Sequence, residues 1–242
     1  SELANTSHQV ICIGMHTEGE LLVVDYRGTL HRLKENPPRR PNEAFPTKIS
    51  ETGLFSDLPS IKPASGAYLY TIRSEMWQDG ATAQRLIAIP SLAGLDRHPI
   101  TDPRLGFREG EWRFPDRTVL AKTLSMSVYP SIHASATEPK KLETQVLQLV
   151  DGFWHVYSFI WNEAGTDAEL SDGKGSNTRL VVDDDHVPGG RRELNWHFAS
   201  RAECLLCHNQ LYGTVNGFAA EQLAGSEREG HLHELLQRGR VR

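Results

Sequence analysis

Over much of this chain apolar and polar residues alternate with a period of two, the pattern of strands that bury one face. Residues 9–15 form a β-branched run; residues 20–26 follow, then the turn pair Arg27-Gly28 and the alternating segment 29–33. Together they predict a β-hairpin unit. Residues 35–46 are polar and carry four prolines, so they read as a linker. Segment 50–55 predicts a short helix with a stop at Gly53. Segments 67–72 and 85–90 read as strands, with a turn at Trp77-Gln78-Asp79-Gly80 between them. The β signal is strongest from 111 to 162. There 111–114, 118–126, 141–149 and 152–161 alternate, separated by turn residues such as Asp151-Gly152. Residues 165–195 are rich in Gly and Asp and read as loop with one strand at 179–182.

The last fifth of the chain changes character. Ser200 is a helix N-cap candidate and Glu203 stands at the reciprocal capping-box position. A short helix follows, and 218–223 and 231–238 are further helical candidates. No internal repeat is visible. Successive alternating strands with tight turns favour an antiparallel sandwich. The fold expectation is therefore mainly β: a sandwich-like domain with a short helical C-terminal segment. The expected divisions are a propeller-like hairpin remnant (1–36), a linker (37–46), a β-rich domain (47–195) and a helical segment (196–242).

Composition narrows the function classes. Of 242 residues, 24% are charged and the net charge is −5, so no basic surface for phosphate neutralisation is indicated. No run of roughly 18 apolar residues exists, so no membrane span is expected. The first residues lack the basic and apolar regions of a signal peptide. The acidic run Asp183-Asp184-Asp185 reads as a solvated turn, because three adjacent carboxylates do not all face one ion. The five tryptophans read as core packing.

Cysteine usage carries the chemistry. Of the three cysteines, Cys12 lies in an apolar run and reads as a small buried hydrophobe. The other two form Cys204-Leu205-Leu206-Cys207-His208. A c-type haem needs two thiols one helical turn apart, to add across two vinyl groups, and a following imidazole aimed at the iron. This spacing supplies all three, with His208 as the first axial ligand. Tetrahedral zinc on Cys204, Cys207 and His208 is the competing reading. It lacks a fourth ligand and a second Cys pair. A thioredoxin-like dithiol lacks its βαβ context.

The second axial ligand stays open. No methionine follows His208; Met15, Met76 and Met126 all precede it. His197 sits closest upstream, in an extended segment that leads into the helix. Met126, Met76, His155 and His133 are the other upstream candidates, and His231 and His233 lie downstream. The remaining alternative is an open iron site that binds a small ligand.

Two resemblances rest on longer stretches. Residues 9–34, with EGELLVVDYRGTLHRL at 18–33, resemble the closing strands of a glucose/sorbosone dehydrogenase-type β-propeller. Residues 46–223 resemble an uncharacterised planctomycete-type haem-binding domain found behind such propellers. The matching stretches are FPTKISETGLF (45–55), MWQDGATAQRLIAIP (76–90), WRFPDRTVLAKTLSM (112–126), KLETQVLQL (141–149), YSFIWNEAGTDAEL (157–170) and WHFASRAECLLCHN (196–209). Ala199 departs from the family's proline, and Met76 and Met126 stand where the family carries other apolar residues. The resemblance implies an exported, periplasmic redox module with one covalent haem c, fused to or partnered with a dehydrogenase. No substrate comes with it.

The expectation is thus a monohaem c-type electron-transfer domain of a larger oxidoreductase, rather than an enzyme in its own right. Haem attachment occurs outside the cytoplasm, so the lack of a signal sequence argues for a fragment of an exported parent. Two alternatives stay beside it: a five-coordinate haem that senses or activates a small ligand, and a β-sandwich binding module with a structural haem.

Overall fold

The structure is a computed structural model that describes residues 9–17, 19–32, 45–90, 96–97, 112–134, 139–151, 153–208, 215–218 and 220–223. It divides into two compact units, Ser1–Phe45 and Pro46–Arg242. Among the described residues no helix is long and apolar enough to cross a membrane. The expected linker falls mostly outside the described residues, as does the helical candidate 231–238.

The first unit is a three-stranded antiparallel sheet of β1 (Val10–Met15), β2 (Leu21–Asp25) and β3 (Leu30–Arg32). Gly28, at φ +78, makes the turn between the last two possible. Asp25 holds that turn together. Its carboxylate accepts from the Arg27 and Thr29 N–H groups and from His31 Nε2, and these bonds lower its pKa to about 2, His31 contributing most. Cys12 is not buried. β1 is an edge strand that pairs only with β2, and all six of its residues are exposed, Cys12 among them. Its apolar run comes from strand propensity, not from burial.

The second unit is the antiparallel sandwich. Its main sheet has the order β14-β13-β12-β10-β7-β6: β6 (Ala67–Tyr70), β7 (Thr82–Ala88), β10 (Val119–Met126), β12 (Lys140–Val150), β13 (Phe153–Trp161) and β14 (Ala168–Leu170). A smaller sheet has the order β11-β15-β16: β11 (Val128–Tyr129), β15 (Ser176–Asp183) and β16 (Arg191–Phe198). Two short pairs complete it, β4 (Phe55–Asp57) with β5 (Lys62–Pro63), and β8 (Asp96–Arg97) with β9 (Trp112–Arg113). The expected boundary at 195/196 falls inside β16, and the helical segment belongs to the same unit as the sheets.

One face of the main sheet buries Leu86, Ala121, Val146 and Phe159. Its polar groups satisfy one another: Thr123 Oγ1 and Thr144 Oγ1 lie 2.8 Å apart, and Trp161 Nε1 donates to Thr144 Oγ1 at 3.0 Å. The segment before β6 is tied to the sheet. Gln84 Nε2 donates to the Ile61 carbonyl, and Lys141 Nζ donates to those of Leu58 and Pro59. A 3-10 turn, Ile49–Thr52, ends at Gly53 with φ +68, the stop expected there.

The other face carries two separate apolar clusters. At one end Tyr70, Ile87, Ile89 and Leu120 pack with Phe218 and Leu223 from the C-terminal segment, and Leu147, Trp154 and Phe114 join them. At the other end Leu124, Met126 and Leu142 pack with Val128, Val182, Leu194, Trp196 and Phe198 of the small sheet, with Ala83 and Ile160 alongside. The tryptophans divide: Trp161 and Trp196 are buried, whereas Trp77 is exposed and donates to Asp79.

Phe159 is fully buried, so truncation leaves a cavity the surrounding sheet cannot close. Phe159→Ala costs about 3–5 kcal/mol in urea unfolding. Lys174→Ala, on the surface, stays within about 0.5 kcal/mol of wild type.

Candidate functional site

The Cys204–His208 motif rides on α1 (Arg201–Cys207), which starts where β16 ends. Register delivers it there. β15 and β16 pair Ser176 with Phe198 and Asn177 with His197, which brings Gly175 against Ser200. Gly175 has φ +84, and a Cβ on it would lie 3.2 Å from the Ser200 nitrogen. A side chain there would push the helix start away.

Ser200 caps the helix as its sequence predicts. Glu203 N–H donates to Ser200 Oγ at 3.2 Å, and Ser200 N–H donates to Glu203 Oε2 at 2.8 Å. Both partners of the reciprocal box are in place. The Ser200 backbone N–H, then His197 and the Ser200 hydroxyl, hold the Glu203 carboxyl down at about 2. Arg201 pins the helix to the main sheet. Its N–H donates to the Gly173 carbonyl at 2.9 Å, and its Nε donates to the Val156 carbonyl of β13 at 3.2 Å. Its guanidinium also lies over the Tyr157 ring.

With α1 fixed this way, Cys204 faces inward. It lines a cavity with Val156, Tyr157, Ser158, Ser171, Gly173, Ala199 and Arg201. Cys207, one turn further, is exposed, and Leu206 between them is 70% exposed. His208 terminates the helix, its N–H bonded to the Cys204 carbonyl at 2.9 Å. Burial pushes the Cys204 thiol up; Glu143 and Glu203 add to this and Lys122 opposes it.

The candidates for a second axial ligand are scattered. His197 is engaged at both ring nitrogens: Nδ1 lies 2.9 Å from Asn177 Oδ1 and Nε2 lies 3.0 Å from Glu203 Oε2. A carboxylate can only accept, so Nε2 carries a proton. On the Nδ1 side the neighbour is the Asn177 amide, and the tautomer sets which way that bond runs. Met126 is buried in the cluster against the small sheet, and Met76 is 71% exposed. His155 stacks on Tyr157, and His133 is exposed. His231 and His233 lie outside the described residues. Among the described residues no three His, Cys, Asp or Glu side chains gather into a metal-holding group.

A feature missed in the sequence lies beside Cys204. Across the sheet, β-pairing sets Tyr70, Arg85, Lys122, Gln145 and Ser158 in one transverse row. Alternation puts this row on the face that carries the two apolar clusters, and between them. Ser158, at the row's end, lines the Cys204 cavity. The signal was available: Lys122 sits at an inward position between Leu120 and Leu124, where the period-two pattern calls for an apolar side chain.

No family model, curated protein or solved structure matches this chain.

The thiolate is the attacking form of cysteine, so a raised pKa slows alkylation at a given pH, and burial slows it again. In the haem-free protein at pH 8, iodoacetamide labels exposed Cys207 several-fold faster than Cys204, as read by peptide mass. Equal rates contradict the inward placement of Cys204.

Proposed function

We propose that the chain carries one c-type haem on Cys204 and Cys207, with His208 as an axial ligand, and that it passes electrons. The observation that carries this reading is the placement of the motif. A capped, anchored helix sets Cys204 beside a small cavity, Cys207 exposed one turn on, and the imidazole directly after. Apolar side chains flank the polar row on both sides, Leu147 and Trp154 in one cluster and Ile160 in the other. The haem supplies the one-electron chemistry, and the protein supplies position, axial ligation and the dielectric around the ring. A fused or partner dehydrogenase is the electron source this reading implies, in an exported, periplasmic setting.

One observation favours a second reading. His197, nearest in sequence, is already bonded on both nitrogens to Asn177 and Glu203. An iron held by His208 alone keeps an open position and binds a small ligand.

Maturation in cells with cytochrome-assembly machinery tests the proposal. The expected product is coloured, with the mass of one porphyrin added per chain. Replacing Cys204 and Cys207 with serine together abolishes the adduct, whereas His208→Ala keeps it and alters the spectrum. A low-spin spectrum indifferent to carbon monoxide supports electron transfer, and a high-spin one that shifts supports the second reading. A colourless wild-type product of unchanged mass rules out both.

A further inference from the structure

We infer that β1 is the docking edge for a second copy of this chain, through an antiparallel β1–β1 pair that joins two three-stranded sheets into one of six strands. This stands apart from the haem reading and concerns the first unit alone.

The two edges of that unit's sheet are built differently. β3 is three residues long, and Arg32 on it is paired with Glu20 at 3.0 Å. A short edge that carries charge resists the addition of a further strand. β1 has six residues, Val10–Met15, with no charged side chain and no proline. All six are exposed, and among the described residues β1 pairs on one side only. Its outer N–H and C=O groups are a template for another strand. The bulge at Ile11 is confined to the start of β1, and Cys12 to Met15 run in regular register with β2. Strand propensity accounts for β-branched residues here, but threonine meets it as well. The apolar character of the strand has a separate cause.

Exposed apolar surface is concentrated in the same place. Of the ten large apolar residues that stand exposed among the described residues, six belong to this unit: Val10, Ile11, Ile13 and Met15 on β1, with Tyr26 and Leu30. Tyr26 adjoins β1, its N–H donating to the Gln9 carbonyl at 2.8 Å. Leu30 shares a cross-strand row with Val24 and Cys12. Among the unit's described apolar residues only Val23 is buried. The unit thus shows more large apolar side chains to water than it removes from it, and a patch of this kind marks an interaction surface.

A second copy fits this edge in length, charge and area. An antiparallel strand of the same sequence matches β1 residue for residue. It sets no charge opposite a like charge, an arrangement that destabilises other self-paired strands. The six exposed side chains offer on the order of 500 Å² per copy. A two-fold pair brings the same patch from both sides, on the order of 1,000 Å² in all, the size at which a specific interface holds. The guarded β3 edge stops the sheet there, so association closes at two.

The test is sedimentation velocity of the full chain across micromolar concentrations, joined to a methionine oxidation footprint. Wild type is expected to pass from monomer to dimer and to go no further. Met15 and Met76 are about equally exposed in the single copy, at 73% and 71%. In the dimer, oxidation of Met15 slows several-fold and Met76 keeps its rate. Ile13→Lys sets two ammonium groups close together across the two-fold pair, and it raises the dimer dissociation constant at least about tenfold. Ile11→Lys repeats the test if the first variant folds poorly. Met76→Lys, in the other unit, leaves the dimer intact. The footprint decides the matter without any substitution. A wild-type chain that stays monomeric throughout leaves β1 to a different occupant and overturns the inference. A dimer in which Met15 oxidises as fast as Met76 overturns it too, as do oligomers that grow past two.

Discussion

A free strand edge decides where the cysteine helix sits. β14 pairs only with the last three residues of β13, so the first half of β13 presents carbonyls with no strand beside them. Buried or half-buried carbonyls need donors. Arg201 supplies one to Val156, and its own N–H is taken by Gly173. This ties the first turn of α1 to the sheet at two points. The capping box of Ser200 and Glu203, braced by His197, takes up the N–H groups of those two residues at the helix start. A helix of seven residues has little stability of its own, and α1 has no fully buried side chain, Cys204 being only partly buried. Its position is therefore set by these contacts rather than by a hydrophobic face.

The same arrangement gives His197 its place. It joins Asn177 of β15 to Glu203 of α1, across the point where β16 passes into the helix. It is a brace in this structure, and the geometry assigns it that work through two hydrogen bonds at ordinary distances. The polar row across the main sheet is the complementary element. A sandwich core that was apolar throughout would close over this face. Lys122 and Gln145 stand between the two clusters, and their row ends at Ser158 beside the cysteine helix.

Much of the fold was legible in the chain because alternation and turn chemistry agree. The strands at 118–126, 141–149 and 152–161 lie where the period-two pattern sets them, within a residue or two of their observed ends. The capping pair Ser200 and Glu203 was visible for a similar reason: both residue types at that spacing have one local use. β14 and β16 were harder to see. β14 is three residues long, and β16 opens on Arg191-Arg192-Glu193, polar residues that pair across to β15 through backbone bonds. Cys12 misled because an apolar run on an edge strand looks like a buried one. The transverse row was hidden for a deeper reason. Its members are 85, 122, 145 and 158, and only β-pairing makes them neighbours. The role of His197 depends in the same way on Asn177, twenty residues away in sequence.

A haem on Cys204 and Cys207, as proposed, would lie against the main sheet beside the β13 end of the polar row. Methyl NMR shifts of the reduced, haem-loaded protein read that position directly, because a ring current displaces resonances of groups packed against its faces. Large displacements are predicted for the methyls of Leu147 and Ile160, one from each cluster. Those of Ala121 and Val146, on the far side of the sheet, stay at ordinary positions. Leu147 and Ile160 undisplaced in a protein that carries covalent haem would place the ring elsewhere and contradict the account.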